Sequence, residues 1–133
     1  MLIAGDLSDY GSNIRDVLNV LDSASKDLGV KIVMVLGNMD IPEYIETIRK
    51  EYPELTCLHG NTVKFKEFVI AGLSGGLYSP FLTPFELGEN DFKELISNIL
   101  KELSRYGKEN LILLTHTPPY GTKVEYYFAA WDT

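Results

Sequence analysis

The chain has 133 residues, of which 45% are hydrophobic and 23% are charged, a composition typical of one globular domain. Its formal net charge is -7 and no cluster of lysine and arginine interrupts the acidity, so general binding to the phosphate backbone of nucleic acids is not expected. No apolar run approaches the roughly 18 residues of a membrane span, and the single cysteine, Cys57, excludes an internal disulfide framework.

The first residues of the chain lack both marks of a secretion signal. MLIAGD has no basic segment ahead of its apolar residues and no long apolar core. Together with the single cysteine, this start predicts a cytoplasmic protein that does not associate with membranes. An acidic chain that binds an anionic partner needs positive charge from something other than its side chains, and a bound metal ion is the obvious source.

The apolar pattern begins with a short strand and a helix. LIA at 2–4 is typical of the end of a strand. Apolar residues then recur at helical spacing over Ile14–Leu28, with Ser12 or Asn13 available as the N-cap and Gly29 as the stop. We therefore predict a strand followed by an amphipathic helix.

The middle of the chain continues the alternation. KIVMVL at 31–36 is a continuous apolar run rich in β-branched residues, which is typical of a strand buried on both faces. Apolar residues between 41 and 48 predict a second helix that ends before Pro53. TVKF at 62–65 and FVIAG at 68–72 lie two residues apart and predict a hairpin.

The remaining segments predict one more helix and one more strand. Apolar positions between 92 and 103 define the helix, with Gly107 as its stop, and LILLT at 111–115 is predicted to be a last buried strand. The glycine-rich stretch at 72–80 is interpreted as a loop. Strands that alternate with helices of this length predict βαβ units and a largely parallel sheet, so the fold class is α/β.

Three polar side chains follow three of the predicted strands. Asp6 comes after LIAG, Asn38 after VMVLG and His116 after LILLT. Ligands of open parallel sheets bind beyond the carboxyl ends of the strands, so we expect these residues to meet at one sheet edge. A carboxylate oxygen, an amide oxygen and an imidazole form a donor set suited to Mn, Fe or Zn.

Each of these residues also has an ordinary structural interpretation. Asp6 and Asp9 in GDLSD could cap the first helix or form an Asx-turn. Asn38 could be a turn residue, and His116 could be a loop histidine with a backbone partner. The coincidence of all three carries more weight than any single residue. His59 is interpreted as structural or solvent-facing.

Three sequence motifs, taken together, resemble those of a known enzyme family. GDLSDYG (5–11), GNMD (37–40) and THTPPYGT (115–122) are similar, in order and spacing, to the G-D-x-x-D, G-N-H-D/E and metal-binding histidine motifs of the calcineurin-like metallophosphoesterases. The resemblance spans nearly the whole chain. It implies an αββα sandwich with a mostly parallel sheet and a two-metal site, where water activated by the metals attacks a phosphate ester in line.

The resemblance also implies roles for individual residues. Asp6 would bridge two ions held about 3.5 to 4 Å apart, and Asn38 and His116 would bind the second ion. Asp9 and Asp40 would lie behind the ligands and orient them or the neighbouring loops. The expected cofactor is a divalent ion, with Mn favoured over Fe or Zn.

The chain departs from the family pattern at both ends. Family members normally begin with a strand that ends in D-x-H, and this chain starts at Met1, after that point. They also carry a G-x-H-x-H motif, and the chain stops at Thr133 before one, although Asp132 falls near the place of an expected histidine. We therefore predict that residues 1–133 form a single phosphoesterase-like domain without the first strand and the C-terminal motif.

Position 39 is a third departure. The family has a histidine there that assists the leaving group, and Met39 has no proton to donate, so no catalytic acid is predicted. The flexible methionine is expected to pack over the pocket. Asp40 and Glu43 also form a pattern that could cap the second helix.

These observations favour two functions. The first is a metal-dependent phosphatase or phosphodiesterase that acts weakly on a small phosphate ester. The second is a non-catalytic interaction protein on the same scaffold. Met39 and the missing motifs favour this second function. The aromatic stretch VEYYFAAW (124–131) and an open sheet edge suggest a homodimer as a further hypothesis. A generic nucleotide-binding domain is disfavoured, because no G-x-G-x-x-G or G-x-x-x-x-G-K-[ST] motif follows any strand.

Overall fold

The computed structural model of the chain describes residues 1–107 and 110–119. Within them lie the helices α1 (Ile14–Leu28), α2 (Tyr44–Glu51) and α3 (Glu89–Leu103). The strands are β1 (Leu2–Ala4), β2 (Ile32–Val35), β3 (Leu55–Cys57), β4 (Asn61–Phe65), β5 (Phe68–Leu73), β6 (Gly76–Leu77), β7 (Glu86–Leu87) and β8 (Leu111–Thr115).

The strands form two main sheets and one small one. The first sheet has the order β1, β2, β3 and is parallel throughout. In the second sheet the antiparallel hairpin of β4 and β5 is extended by β8, which runs parallel to β5. The short strands β6 and β7 pair with each other in parallel. The predicted hairpin is confirmed, and Lys66 at its turn has a left-handed φ of 54°.

The layers follow from the alternation of side chains along β2. Successive residues of a strand point to opposite faces, so Ile32 and Met34 pack with α1 and α2, whereas Val33 and Val35 pack against the second sheet. All four side chains are buried, which explains the unbroken apolar run. The other face of the second sheet packs on α3. The order is helix, sheet, sheet, helix, and the predicted α/β sandwich is confirmed.

The helices lie close to their predicted positions. α1 ends at Gly29, whose φ of 62° provides the left-handed stop. Asn13 occupies the N-cap position of α1, but its side chain makes no capping hydrogen bond. α2 begins at Tyr44, so Ile41 lies before the helix that its spacing predicted it to join. None of the helices in the described part of the chain is long and apolar enough to cross a membrane.

Two predictions about the second half of the chain are wrong. β8 was expected to be a buried strand, yet Leu111 and Leu113 are exposed, because they lie on the sheet face toward α3, and α3 packs against β4 and β5. The stretch at 72–80 is not simply a loop, since it contains the end of β5 and all of β6. The aromatic stretch at 124–131 and Asp132 lie outside the described residues, so the predictions that concern them stay predictions.

Candidate metal centre

The polar residues that follow β1, β2 and β8 come together at one end of the sandwich. Asp6 and Asn38 follow adjacent parallel strands of the first sheet, and His116 follows β8 of the second sheet. The prediction of one shared sheet edge is wrong in this respect, because the three residues meet between two sheets. The sheets face each other, so the loops at the carboxyl ends of β1, β2 and β8 converge.

Two glycines allow the loops after β1 and β2 to touch. A Cβ at Gly37 would collide with the carboxylate of Asp6, and a Cβ at Gly5 would collide with the backbone of Gly37. Gly5 has a φ of 97° and Asp6 a φ of 54°, both in the left-handed region. The two loops are therefore packed backbone against backbone, and the Asp6 side chain lies against Gly37.

The imidazole of His116 is held through one nitrogen and faces the site with the other. Its Nδ1 lies 2.8 Å from the carbonyl oxygen of Ala4, which can only accept, so Nδ1 carries the hydrogen. The neutral ring then has a lone pair on Nε2. This nitrogen lies 2.9 Å from Asn38 Oδ1 and 3.5 Å from Asp6 Oδ1. In the neutral ring Nε2 is thus an acceptor facing two further acceptors, and in the protonated ring Nε2–H donates to them.

The orientation of the Asn38 amide is fixed from its other side. Asn38 Nδ2 donates to Thr83 Oγ1 at 3.1 Å, and the Thr83 hydroxyl itself donates to Glu86 Oε1 at 2.7 Å. Hydrogen bonds from Ser79 and Thr83 hold the pKa of Glu86 down at about 2, so its carboxylate stays an acceptor at neutral pH. This chain of donors leaves Oδ1 of Asn38 pointing at His116.

Three lone pairs thus converge, from Asp6 Oδ1, Asn38 Oδ1 and His116 Nε2. The Asp6 oxygen also accepts the Met39 backbone N–H at 3.2 Å. Acceptors this close repel one another unless a cation or a proton lies among them. Ligand atoms bound about 2.0–2.2 Å from one metal ion lie about 3.0 Å apart at right angles and about 3.5 Å apart at the tetrahedral angle. The distances from His116 Nε2 to Asn38 Oδ1, 2.9 Å, and to Asp6 Oδ1, 3.5 Å, fall in this range of ligand-to-ligand distances.

Only two of the three donors, Asp6 and His116, belong to the residue types His, Cys, Asp and Glu, which supply most metal ligands in proteins. Within residues 1–107 and 110–119, no group of three or more His, Cys, Asp or Glu side chains is arranged to hold a metal ion. The third donor here is the amide oxygen of Asn38. The residues described fit one divalent ion with mixed oxygen and nitrogen ligands, with further positions left for water or substrate.

Asp40 lies behind this constellation and is completely buried. Its carboxylate accepts hydrogen bonds from Leu7 N at 3.2 Å, Ser8 N at 2.8 Å, Ser8 Oγ at 2.9 Å and Gly37 N at 2.8 Å. These contacts tie the loop after β1 to the loop after β2. The alternative that Asp40 caps α2 is wrong, because Glu43 is the N-cap residue and α2 has no side-chain cap.

No hydrogen bond within the described residues joins the side chain of Asp9 or of His59 to the three donors, and the orienting role of Asp9 stays a prediction. Asp9 is exposed, and its carbonyl oxygen, not its carboxylate, accepts from Ser12. Neither Asp9 nor Asp6 caps α1. The ring of His59 packs at 5.4 Å from the Phe85 ring, and its Nδ1 is buried without a hydrogen-bond partner among the described residues. The structural interpretation of His59 fits this environment.

Thr83 and Glu86 support the centre and were missed by the sequence reasoning. Both belong to the segment TPFE, which has the S/T-x-x-E pattern usually associated with helix starts. That pattern could have predicted that the two side chains bond each other, as they do here within a turn. It could not have predicted that Thr83 reaches Asn38, which lies 45 residues away along the chain.

Comparisons with known proteins bear on the family and the fold of the chain. The family model described as calcineurin-like phosphoesterase matches residues 1–131. An uncharacterised protein of Methanocaldococcus jannaschii, MJ1162, is 26% identical over 125 residues, which are 94% of this chain and 52% of that protein. A solved crystal structure with 23% identity superposes with a TM-score of 0.56 over 80% of this chain and 43% of its own, which shows the fold alone. The chain spans about half the length of these relatives.

Proposed function

Because the chain belongs to the calcineurin-like phosphoesterase family, we propose that Asp6, Asn38 and His116 hold a divalent metal ion and that the site hydrolyses small phosphate monoesters or diesters. Manganese is the favoured ion, and iron and zinc suit the same donors. The observation that carries the proposal is the convergence of three lone pairs at 2.9 and 3.5 Å around His116 Nε2.

Each of the three donors is held in place before anything binds. The Ala4 carbonyl fixes the tautomer and direction of His116, the Thr83 hydroxyl fixes the amide of Asn38, and the Met39 N–H orients the Asp6 carboxylate. Such supporting hydrogen bonds raise metal affinity because less order is lost on binding. A divalent ion bound here would polarise a phosphoryl oxygen and activate water for attack on phosphorus.

The side chain of Met39 limits what the chain itself can contribute to the reaction. It stands where the family has a proton donor, and a thioether cannot protonate a leaving group. General acid catalysis is worth about 10² to 10⁴ in rate, so the expected activity is slow except with leaving groups that need no proton. p-Nitrophenyl esters meet this condition.

The proposal is tested by hydrolysis of p-nitrophenyl phosphate and bis(p-nitrophenyl) phosphate with Mn²⁺, Fe²⁺, Zn²⁺ or Mg²⁺. We expect slow metal-dependent turnover that Asp6→Ala and His116→Gln both abolish. His59→Gln is the matched control, since it changes the only other histidine and leaves the three donors intact. Turnover that needs no metal, or that survives His116→Gln, would reject the assignment.

Met39→His provides a separate test of the missing acid. The substitution should raise the rate with a poor alkyl leaving group by about tenfold to a hundredfold, because a proton donor returns to the position that the family uses. The rate with p-nitrophenyl esters should change little. An equal increase for both leaving groups would show that the histidine acts in some other way, for example as a further metal ligand.

The alternative function is a non-catalytic interaction protein on the phosphoesterase scaffold. Met39 favours it, and so does the small number of ionisable ligands within the described residues. The two functions differ in one measurable respect. Binding of Mn²⁺, followed by electron paramagnetic resonance and lost in His116→Gln, with no turnover of any ester would favour the interaction protein.

A further inference from the structure

The second sheet has an apolar groove on the face that packs on α3. Paired residues of neighbouring strands share a face, so Leu113 of β8 lies beside Ala71 of β5 on the face toward α3. α3 packs on Ala71 and its neighbours in β5, but Leu111 and Leu113 are 42% and 52% exposed. The helix therefore covers the β5 side of this face, and the β8 side is left open within the described residues.

The groove between α3 and β8 has a volume of about 370 Å³. Its walls are mostly apolar, and they include Leu73, Leu77, Phe92, Ile96, Leu113 and Pro119. The side chain of Ile96 on α3 is 44% exposed. Pockets of about 300–1,000 Å³ with apolar walls commonly bury a ligand, and apolar side chains that are exposed as a group mark a binding surface.

The chain itself passes along the groove before it reaches the aromatic stretch. Thr117, Pro118 and Pro119 line the groove just after the end of β8. Trp131, the last residue of the aromatic stretch, is 12 positions beyond Pro119, a length of chain that reaches about 40 Å when extended. The five residues of β8 span only about 17 Å. The aromatic stretch is therefore long enough to turn back and run along the groove.

The composition of the aromatic stretch suits an apolar groove. VEYYFAAW contains two tyrosines, a phenylalanine and a tryptophan, and Glu125 is its only charged residue. Aromatic side chains bury about 150–250 Å² each, so four of them left in water would forgo much hydrophobic stabilisation. A segment tethered beside its site also has an effective concentration of roughly millimolar. A second copy of the chain, which is far less concentrated in dilute solution, competes poorly for the same groove.

From the open groove and the position of the aromatic stretch, we propose that residues 124–131 of the same chain pack between α3 and β8, with the Trp131 side chain against Leu113 and Ile96. The bound stretch covers the β8 side of the face, as α3 covers the β5 side. It also anchors the chain a few residues beyond His116, the proposed metal donor. The inference depends neither on metal binding nor on hydrolysis.

The test uses the only tryptophan of the chain, Trp131, whose fluorescence reports on the aromatic stretch alone. We expect blue-shifted emission and weaker acrylamide quenching in the folded parent chain than in the urea-unfolded chain, at every protein concentration. Leu113→Asp and Ile96→Asp each place a charge in the groove wall, where burial without a partner is costly. Each should therefore move the emission and the quenching toward the values of the unfolded chain.

Val20→Asp is the matched control. It makes the same kind of change at an exposed apolar residue of α1, on the opposite outer layer of the sandwich, so the fluorescence of Trp131 should not change. Circular dichroism checks that each variant keeps the helical content of the parent chain. Nuclear Overhauser contacts between the Trp131 indole and the methyl groups of Leu113 or Ile96, measured on the parent chain, test the proposal without any substitution.

Three results would overturn the proposal. The first is a Trp131 ring that is quenched as strongly in the folded parent chain as in the unfolded chain, or that shows no Overhauser contact with the groove. The second is a protected ring that neither groove substitution exposes, because the aromatic stretch then packs elsewhere. The third is protection that appears only as the protein concentration rises, together with a dimer in sedimentation, which assigns the groove to a second copy.

Discussion

The two histidines of the chain occupy regions that differ in the polar atoms around the ring. Both nitrogens of His116 face oxygen atoms, one a carbonyl that fixes the ring and the other a pair of side-chain acceptors. His59 instead packs on Phe85, with Nδ1 buried and without a hydrogen-bond partner in the described part of the chain. Both residues are histidines, so the difference in their suitability as metal ligands comes from the atoms around each ring. A histidine is suited to bind a metal ion when one ring nitrogen is held by a hydrogen bond and the other faces the lone pairs of further ligand atoms.

The same contrast extends to the loops on which the two residues lie. The loops around His116 are tied together by a buried carboxylate, that of Asp40, and by the Thr83 and Glu86 pair. His59 itself donates one backbone hydrogen bond to Asn61 Oδ1 and packs its ring on Phe85, and its neighbours Leu58 and Gly60 bond Met34 and Gly72 through the backbone. Polar side chains hold the ring of His116 and the loops around it, whereas the ring of His59 is held by packing on Phe85.

Removing the Asp40 carboxylate, which joins the loops after β1 and β2, should have the largest effect, and this effect is on stability. Asp40→Ala leaves four hydrogen bonds unmade, and each buried donor without a partner costs about 1–3 kcal/mol. We expect the free energy of unfolding to fall by about 3 kcal/mol or more. Urea denaturation followed by circular dichroism measures it. Asp9→Ala, an exposed aspartate of the same loop, should change stability by less than about 0.5 kcal/mol. Equal effects of the two substitutions would contradict the structural role of Asp40.

Removing the hydrogen bond that positions the Asn38 amide should have the next largest effect, and this effect is on metal affinity. Thr83→Val removes the acceptor of the Asn38 amide, and the loss of a hydrogen bond that supports a ligand typically lowers metal affinity about 10-fold to 100-fold. Ser79→Ala is the matched control, because it removes the other hydroxyl donor to Glu86 and leaves Asn38 untouched. Titration with Mn²⁺ by electron paramagnetic resonance measures both. If the two variants bind the ion equally well, Thr83 does not position the ligand.

The smallest expected effect concerns His59 and pH. Burial, and to a lesser extent the charge of Arg49, lowers the pKa of His59, so the folded protein takes up this proton at a lower pH than the unfolded chain. Below about pH 6.5, the unfolded value, the unfolded chain binds more protons and the free energy of unfolding falls as the pH decreases. That loss is complete below the folded pKa.

His59→Gln should remove this pH dependence. Denaturation at pH 8.0, 6.5 and 5.5 is compared for the two proteins, and the stability of the parent chain relative to the variant should decrease between pH 6.5 and 5.5. A stability difference that stays constant over this range would show that the ring of His59 titrates alike in the folded and unfolded states.

The secondary structure was predictable because the spacing of apolar residues along the sequence matches the faces that the helices and strands bury. The β-branched run at 31–36 became a strand buried on both faces, and the helical spacing over Ile14–Leu28 became α1. The sequence was less informative about which faces of a strand are covered. LILLT has the same composition as a buried strand, but the cover on each face depends on where a helix packs, so the exposure of Leu113 was not foreseen.

The site was predictable in part. The three proposed donors were identified because each follows a strand, a position that depends only on local pattern. The supporting residues were not, since Thr83 contacts Asn38 across 45 positions and Asp40 bonds Ser8 across 32. Contacts of this range depend on how the layers stack, which a linear pattern does not encode.

The sequence by itself determined the elements, the α/β class and the chemical identity of the three donors, because apolar periodicity and residue type are local properties. The tertiary structure decided that His116 reaches Asp6 and Asn38 from the opposite sheet, and that Asp40 and Thr83 hold them there. The physical reason is that hydrogen bonds between distant loops form only after two sheets have buried their shared apolar face.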